Sequence, residues 1–490
     1  MGNPDIESSS AVAERTSVEH IDKSQVGVGR AELSHALPPH DDYEGGHRWD
    51  PSATWTPEEE KRAVRKTDLK LLSWLCLMFF GLQLDRGNIS NALADDLLTD
   101  LGLTTDDYNN GTTIQVLCFL LAEFPVQFLT KRYGFKHVLP TLMVCWGLVS
   151  TFQAFMTGRA AFYVTRALIG TFEGGFIPGV ILMATYFYTS KELSIRLAAF
   201  WSTLNIARVI SALLAAGLIE MRGVGGHPGW FWLLLLEGLL TVVIGLVSMV
   251  YLPTSPTGTK SAIWRSSWYT EREEVIMINR ILRDDPAKGL TALKEPLTWQ
   301  DVKNAWTDPS LLGLYFIGII AYIPAAPVQA YLTLTLKRVG NFSTLASNLL
   351  TAPSAALQVF TMLALAYSSE YFNERAFHCI FGEIWSLPLL TALLTLPDQG
   401  REWGRGSVTS SQIYRKWDGP YYKNGNKVLI SILCLSVVVF VAQRQWLVRL
   451  NKKKVDKWNQ MSPEQQLEYQ TDKEQREIDG NKRLDFRFAY

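Results

Sequence analysis

The stretch Leu71–Ala92, LLSWLCLMFFGLQLDRGNISNA, decides the fold. Its uncharged, largely apolar run ends at Leu84, and at ~1.5 Å per residue that part rises only about 21 Å against a hydrocarbon core of roughly 30 Å. To cross a bilayer the helix must carry Asp85, Arg86 and Asn88 with it, and such groups are tolerated there only where they face protein or water. The alternative is a local Asp85–Arg86 cluster that pairs at the outer end of a short helix. Working outward, further apolar spans begin near Thr112, Val138, Phe162, Leu197, Trp230, Leu311, Leu345, Phe377 and Val428. Apolar residues make up 48% of the chain and charged residues 19%, and the charges crowd into 1–70, 253–310, 398–427 and 449–490, so polar tails are averaged with apolar spans. The expected fold class is all-α: a polytopic membrane protein of two bundles with about ten spans, arranged six and four.

Basic residues set the expected orientation. Lys61, Arg62, Arg65, Lys66 and Lys70 precede the first span, Lys131, Arg132 and Lys136 follow the second, and Arg449, Lys452, Lys453, Lys454 and Lys457 open the final tail. By the positive-inside rule both termini are cytoplasmic, and the loop after span one is fittingly acidic, with Asp95, Asp96, Asp100, Asp106 and Asp107. Residues 1–65 read as a disordered cytosolic tail with no apolar core of a signal peptide. A six-helix bundle follows over 66–252, then a cytosolic loop over 253–310, an incomplete four-helix bundle over 311–448 and a cytosolic tail over 449–490. Within the loop, Val275, Ile276, Ile278, Ile281 and Leu282 have helical spacing with charges opposite, which predicts an amphipathic helix over Thr270–Leu282. Residues 398–427 should be external yet are basic.

Composition excludes several functions. Lys plus Arg and Asp plus Glu balance at 47 each, so no basic field draws nucleic acid. The five cysteines stand singly in apolar stretches without metal-ligand spacing, and no phosphate loop, zinc-protease or nucleophile-elbow motif occurs. No enzyme, cofactor or metal is expected.

What remains is a set of polar residues inside the spans. Arg166 and Glu173 lie two turns apart on one face of span four, followed by Gly174, Gly175, Pro178 and Gly179, where Pro178 should bend the helix. Glu173 reads either as half of a buried ion pair with Arg166 or as a protonatable carboxyl that carries a coupling proton, with Asp85 a second such group. Arg208, near the middle of span five with Asn205 one turn before it, needs either an anionic ligand or an acidic partner, Glu173 or Glu237. Gln115, Gln329, Gln358 and Glu383 are weaker signals, and His378 reads as hydrogen-bonded to a neighbour.

Five stretches carry a resemblance: LDRGNISNALADDLLTDLGLT (84–104), RALIGTFEGGFIPGVILMATYFYTSKELSIRLAAF (166–200), NRILRDDPAKG (279–289), SNLLTAPS (347–354) and SSQIYRKWDGPYYKNGN (410–426). Over roughly 65–490 the chain resembles the fungal allantoate permease group, the anion:cation symporter family of the major facilitator superfamily. The resemblance implies proton-coupled uptake of a small anion at the plasma membrane by alternating access, the anion being a carboxylate, ureide or vitamin, with sulfate or an organic sulfonate as the alternative. Arg208, Asn205, Arg166, Asn88, Gln329 and Gln358 are then the expected substrate contacts, and Glu173 and Asp85 the proton carriers. The expected partners are that anion, protons and the lipid bilayer. Members of the group have twelve spans, whereas this chain passes from PDQGREWGR directly to SSQIYRKW, which implies a missing helix pair with its junction near Gly406. That leaves room for a rival reading, a truncated paralogue, splice product or nutrient sensor that does not transport.

Overall fold

Thr56 starts the first helix. Its side chain accepts from the amide of Glu59 while Glu59 reaches back to the amide of Thr56, and Pro57 occupies the first helical position, where its missing N–H costs nothing. In the computed structural model, which describes residues 43–260, 266–284, 299–321, 344–372, 374–395, 423–471 and 482–488 with Pro39, Lys288 and residues 323–324, α1 (Pro57–Thr67) continues through a π-helical turn, Asp68–Leu72, into α2 (Ser73–Ala92). The helix therefore does carry Asp85, Arg86 and Asn88 across, and the reading of a local cluster at a helix end is set aside.

Beyond it lie α3 (Thr105–Tyr133), α4 (Phe135–Gln153), α5 (Arg159–Glu173), α6 (Phe176–Thr185), α7 (Ser190–Ile219) and α8 (Gly229–Tyr251). Then come α9 (Glu271–Asp284), α10 (Trp299–Thr307), α11 (Pro309–Ile320), α12 (Thr344–Tyr371), α13 (Ala376–Thr395), α14 (Lys423–Asn459) and α15 (Pro463–Thr471). Among the described residues seven helical stretches are long and apolar enough to cross a membrane, six of them before residue 252 and the seventh being Lys427–Asn459. α11, α12 and α13 stand where spans seven, eight and nine were expected.

In the first half α2 packs against α7 and α8, α4 against α8, and α3 against α5. Small residues permit the closest of these approaches: a Cβ on Gly238 would stand 2.5 Å from the amide nitrogen of Thr151, so α4 and α8 touch backbone to backbone. Phe79, Trp146, Phe176 and Phe200 fill the space that the helices enclose. α7 also packs along α12, which joins the two halves.

Span four is two helices. α5 ends at Glu173 and α6 begins at Phe176, with Gly174 extended and Gly175 at φ +79°. A Cβ on Gly175 would lie 2.5 Å from Val126 Cγ1, and one on Gly174 would lie 2.7 Å from the Phe119 carbonyl, so both the conformation and the contact with α3 demand glycine. The bend expected at Pro178 thus lies at the glycine pair. Pro178 sits in the first turn of α6, where helix amides lack partners in any case.

The segment 43–65, expected to be disordered, is folded. Tyr43 packs with Ile278 and Leu282 of α9, and Asn279 holds the extended strap by donating to the Arg48 carbonyl and accepting from the Asp50 amide, both at 3.0 Å. α9 itself is the amphipathic helix read from the sequence, with Ile276, Met277, Ile278, Ile281 and Leu282 buried.

Candidate functional site

The polar residues of the first half gather on α2, α3, α4 and α5. Asp85 on α2 is buried and accepts from Trp146 Nε1 at 3.2 Å and Ser150 Oγ at 2.9 Å, both on α4. One turn on, buried Asn88 donates to Ser150 Oγ at 3.4 Å, and its own oxygen has no partner. Arg86, between them, turns the other way and donates from Nε to Glu173 at 2.8 Å. Its guanidinium also lies 5.1 Å from the ring of Phe119 on α3. Glu173 is 1% exposed, yet its second oxygen makes no hydrogen bond among the described residues.

Arg166 and Glu173 make no ion-pair contact with each other. Arg166, also buried, donates to Gln115 of α3 at 3.2 Å and Gln153 of α4 at 2.6 Å, so it is a tie among three helices. The ion pair expected within α5 is replaced by one between α5 and α2, because α2 brings Arg86 to the end of α5. The sequence reading left Gln115 as a weak signal and missed Gln153, Ser150 and Trp146. Trp146, Ser150 and Gln153 repeat at helical spacing within an apolar span, a pattern that could have found them.

On α7, Asn205 is buried with an unpartnered oxygen, whereas Arg208 is exposed and has no ion pair or hydrogen bond among the described residues. The acidic partners weighed for Arg208 are not at hand: Glu173 is taken by Arg86, and both oxygens of buried Glu237 on α8 are unpartnered. In the second half Gln358 is exposed, and Gln329 lies outside the described residues. His378 meets Ser368 Oγ at 3.0 Å, the neighbour contact expected of it. Among the described residues no group of His, Cys, Asp and Glu has the arrangement to hold a metal ion.

Charged and polar side chains clustered inside a bundle of membrane helices suit the passage of a polar solute better than bond-making chemistry. Residues 75–401, two thirds of the chain, match the Major Facilitator Superfamily. The chain belongs to that superfamily. It is 36% identical over 495 aligned positions to the uncharacterized transporter YIL166C of Saccharomyces cerevisiae, with 91% of this chain and 90% of that protein covered. It is 27% identical to a protein of Agrobacterium vitis provisionally named a tartrate transporter, over 66% of this chain and 70% of that one. The solved structure of the proton:xylose symporter XylE shares the fold, with a TM-score of 0.51 at 13% identity over 77% of this chain and 81% of that one. This member of the superfamily is therefore an all-helical transporter and not an enzyme.

Proposed function

We propose that this facilitator is a proton-coupled symporter of a small organic anion, working by alternating access, with the Arg86–Glu173 pair as its coupling element. The observation that carries the reading is the pair itself, 2.8 Å long and placed where α2 meets the glycine break of span four. A proton on Glu173 removes the charge that holds Arg86, and the freed guanidinium then favours an anion. Proton and anion thereby enter together, and their joint departure restores the pair. Asp85, held by Trp146 and Ser150, is a second proton site in this scheme. Arg208 supplies the outer charge: an exposed guanidinium in a membrane helix is costly against lipid, so it belongs beside a watered path between the halves. Asn205 and Asn88, each with a buried unpartnered oxygen, and Gln358 add polar contacts along that path. The provisional name of the Agrobacterium vitis relative supports a carboxylate as the anion. The plasma membrane as its place and cytosolic termini belong to the same reading, the latter supported by the basic clusters around the first and last spans.

The test is uptake into proteoliposomes of labelled tartrate, allantoate, sulfate and taurine, with and without an inward proton gradient. Gradient-driven accumulation of one of the carboxylates supports the proposal. Accumulation that ignores the gradient rejects the coupling, and accumulation of sulfate or taurine alone rejects the carboxylate.

A second reading concerns the other half. The alignment with YIL166C runs over 495 positions while 91% of the 490 residues here take part, so roughly fifty positions of the relative face no residue of this chain. Their total number matches the length of two membrane helices of ~20 residues each with their connection. It supports a second bundle of four spans, which would leave interior faces open to lipid and reduce or abolish transport. Uptake by this chain beside a version carrying the relative's extra segment tests it, and equal activity at equal surface level would reject it.

A further inference from the structure

The stretch NRILRDDPAKG (279–289) takes no part in the site, yet three of its charged side chains, Arg280, Asp284 and Lys288, reach one place. Arg280, buried on α9, pairs with Glu60 of α1 at 3.1 Å and with Glu192 in the first turn of α7. Four residues on, one oxygen of Asp284 accepts from the Ser190 amide at 2.8 Å and from its hydroxyl at 2.9 Å. Lys288, four residues further, donates to the carbonyls of Thr185 at 3.0 Å and Tyr188 at 3.3 Å. Three charged side chains thus grip the turn that joins α6 to α7: one takes the last carbonyl of α6, one takes the first amide of α7, and one takes the acid that caps α7. The base of the grip is fixed, because Asn279 binds the strap and Met277 and Ile278 are buried.

The other end of α6 is the glycine pair 174–175, adjacent to Glu173. α6 is therefore a ten-residue helix with a pliable joint at one end and a polar clasp at the other. We infer that Arg280, Asp284 and Lys288 form a conformational latch that, when closed, holds α6 and the start of α7 against the first half and, when open, lets this unit pivot about Gly174–Gly175. Arg280 is the buried anchor of the clasp, whereas the Asp284 bonds to Ser190 are exposed and the Lys288 bonds to Thr185 and Tyr188 only partly buried, so these two can exchange for hydration at smaller net cost than the buried packing of α4 on α8. The latch stands whichever solute or ion is carried. Its effect on the Arg86–Glu173 pair, through movement of Gly174 and Gly175, rests on the function proposed above.

Spin labels test it directly. In the full chain with its five native cysteines replaced, His137→Cys at the start of α4 and Lys191→Cys at the start of α7 place two labels at the same end of the bundle. We expect one narrow distance distribution with the latch intact. Asp284→Ala should add a second population or broaden the distribution about twofold, as a shifted two-state equilibrium requires. Lys288→Met, a substitution farther from the packed face of α9, should act in the same direction and serves if Asp284→Ala folds poorly. A purely structural contact would lower the melting temperature and leave the distances of the folded molecules unchanged. That outcome overturns the latch, and it does so without reference to proton coupling.

Discussion

Arg86 and Glu173 meet at 2.8 Å although 87 positions separate them in the chain. Glu173 ends one helix, Arg86 follows Asp85 just past the apolar run of another, and neither makes an ion-pair contact within its own helix. Each is thus exposed to any change in the other's charge.

Glu173→Gln mimics the protonated acid throughout the cycle. We expect gradient-driven uptake to be lost while exchange of external for internal anion continues. Proteoliposomes assayed in both modes distinguish the two, and an unchanged pH dependence of uptake in the well-expressed variant would remove Glu173 from coupling.

Arg208→Ala separates binding from stability. Because Arg208 is exposed without a partner among the described residues, thermal unfolding in detergent should move by less than the equivalent of about 0.5 kcal/mol. Anion uptake at matched surface expression should nevertheless fall about tenfold or more, in line with the loss of one charge-assisted contact. Wild-type uptake would show that Arg208 does not meet the substrate.

Arg166 should behave in the opposite way. Its bonds to Gln115 and Gln153 tie α5 to α3 and α4, so Gln153→Leu, which strips one of them from a buried guanidinium, should cost about 2 kcal/mol. Thermal unfolding of the purified variant measures it, and a shift no larger than that of Arg208→Ala would contradict the tie.

Gly175→Ala forces a side chain into φ +79° and toward Val126 at 2.5 Å. On the order of 2 kcal/mol or more is the expected loss, combining backbone strain with the clash. Val126→Ala removes Cγ1 but leaves the Cβ of residue 126 at 2.7 Å from the new methyl, so the double variant should recover only a small part of the loss, and full recovery to wild-type stability would contradict the backbone strain.

The strap and α9 carry a pH dependence of their own. Burial raises the carboxyl of Glu273, but Lys66 Nζ at 2.7 and 2.8 Å and the amide of Thr270 outweigh it and hold the group below its ordinary value of 4.5. A carboxylate lowered in the folded state contributes its full stabilisation above the ordinary value and loses it as pH falls from there through the lowered one. Unfolding followed from pH 7 downward should therefore show a contribution that is constant at neutral pH, fades in acid and is absent in Glu273→Gln. A Glu273→Gln profile parallel to wild type throughout would rule that contribution out.

Hydropathy along the chain was enough to place the six spans of the first half and the amphipathic helix Glu271–Asp284, because burial in lipid or against a bundle is a property of each segment's own composition and period. It was enough, too, to place Arg166 and Glu173 within an apolar span and to point to Asp85, Arg86 and Asn88 as polar groups that need partners if the first span carries them. Which partners they find was decided by the tertiary structure alone. Arg166 and Glu173 are neighbours on one helix face by spacing, yet α2 presents Arg86 to Glu173 and α3 and α4 present Gln115 and Gln153 to Arg166. Partner choice depends on which helices are adjacent and how each is rotated about its axis, quantities that no single segment encodes. The break in span four has the same origin: Pro178 is a visible breaker, but the close approach of Val126 and Phe119 sets the bend at Gly174 and Gly175. Arg208 shows the limit from the other side, since its depth in span five was plain from the sequence, whereas its exposure without a partner among the described residues is a property of the tertiary structure.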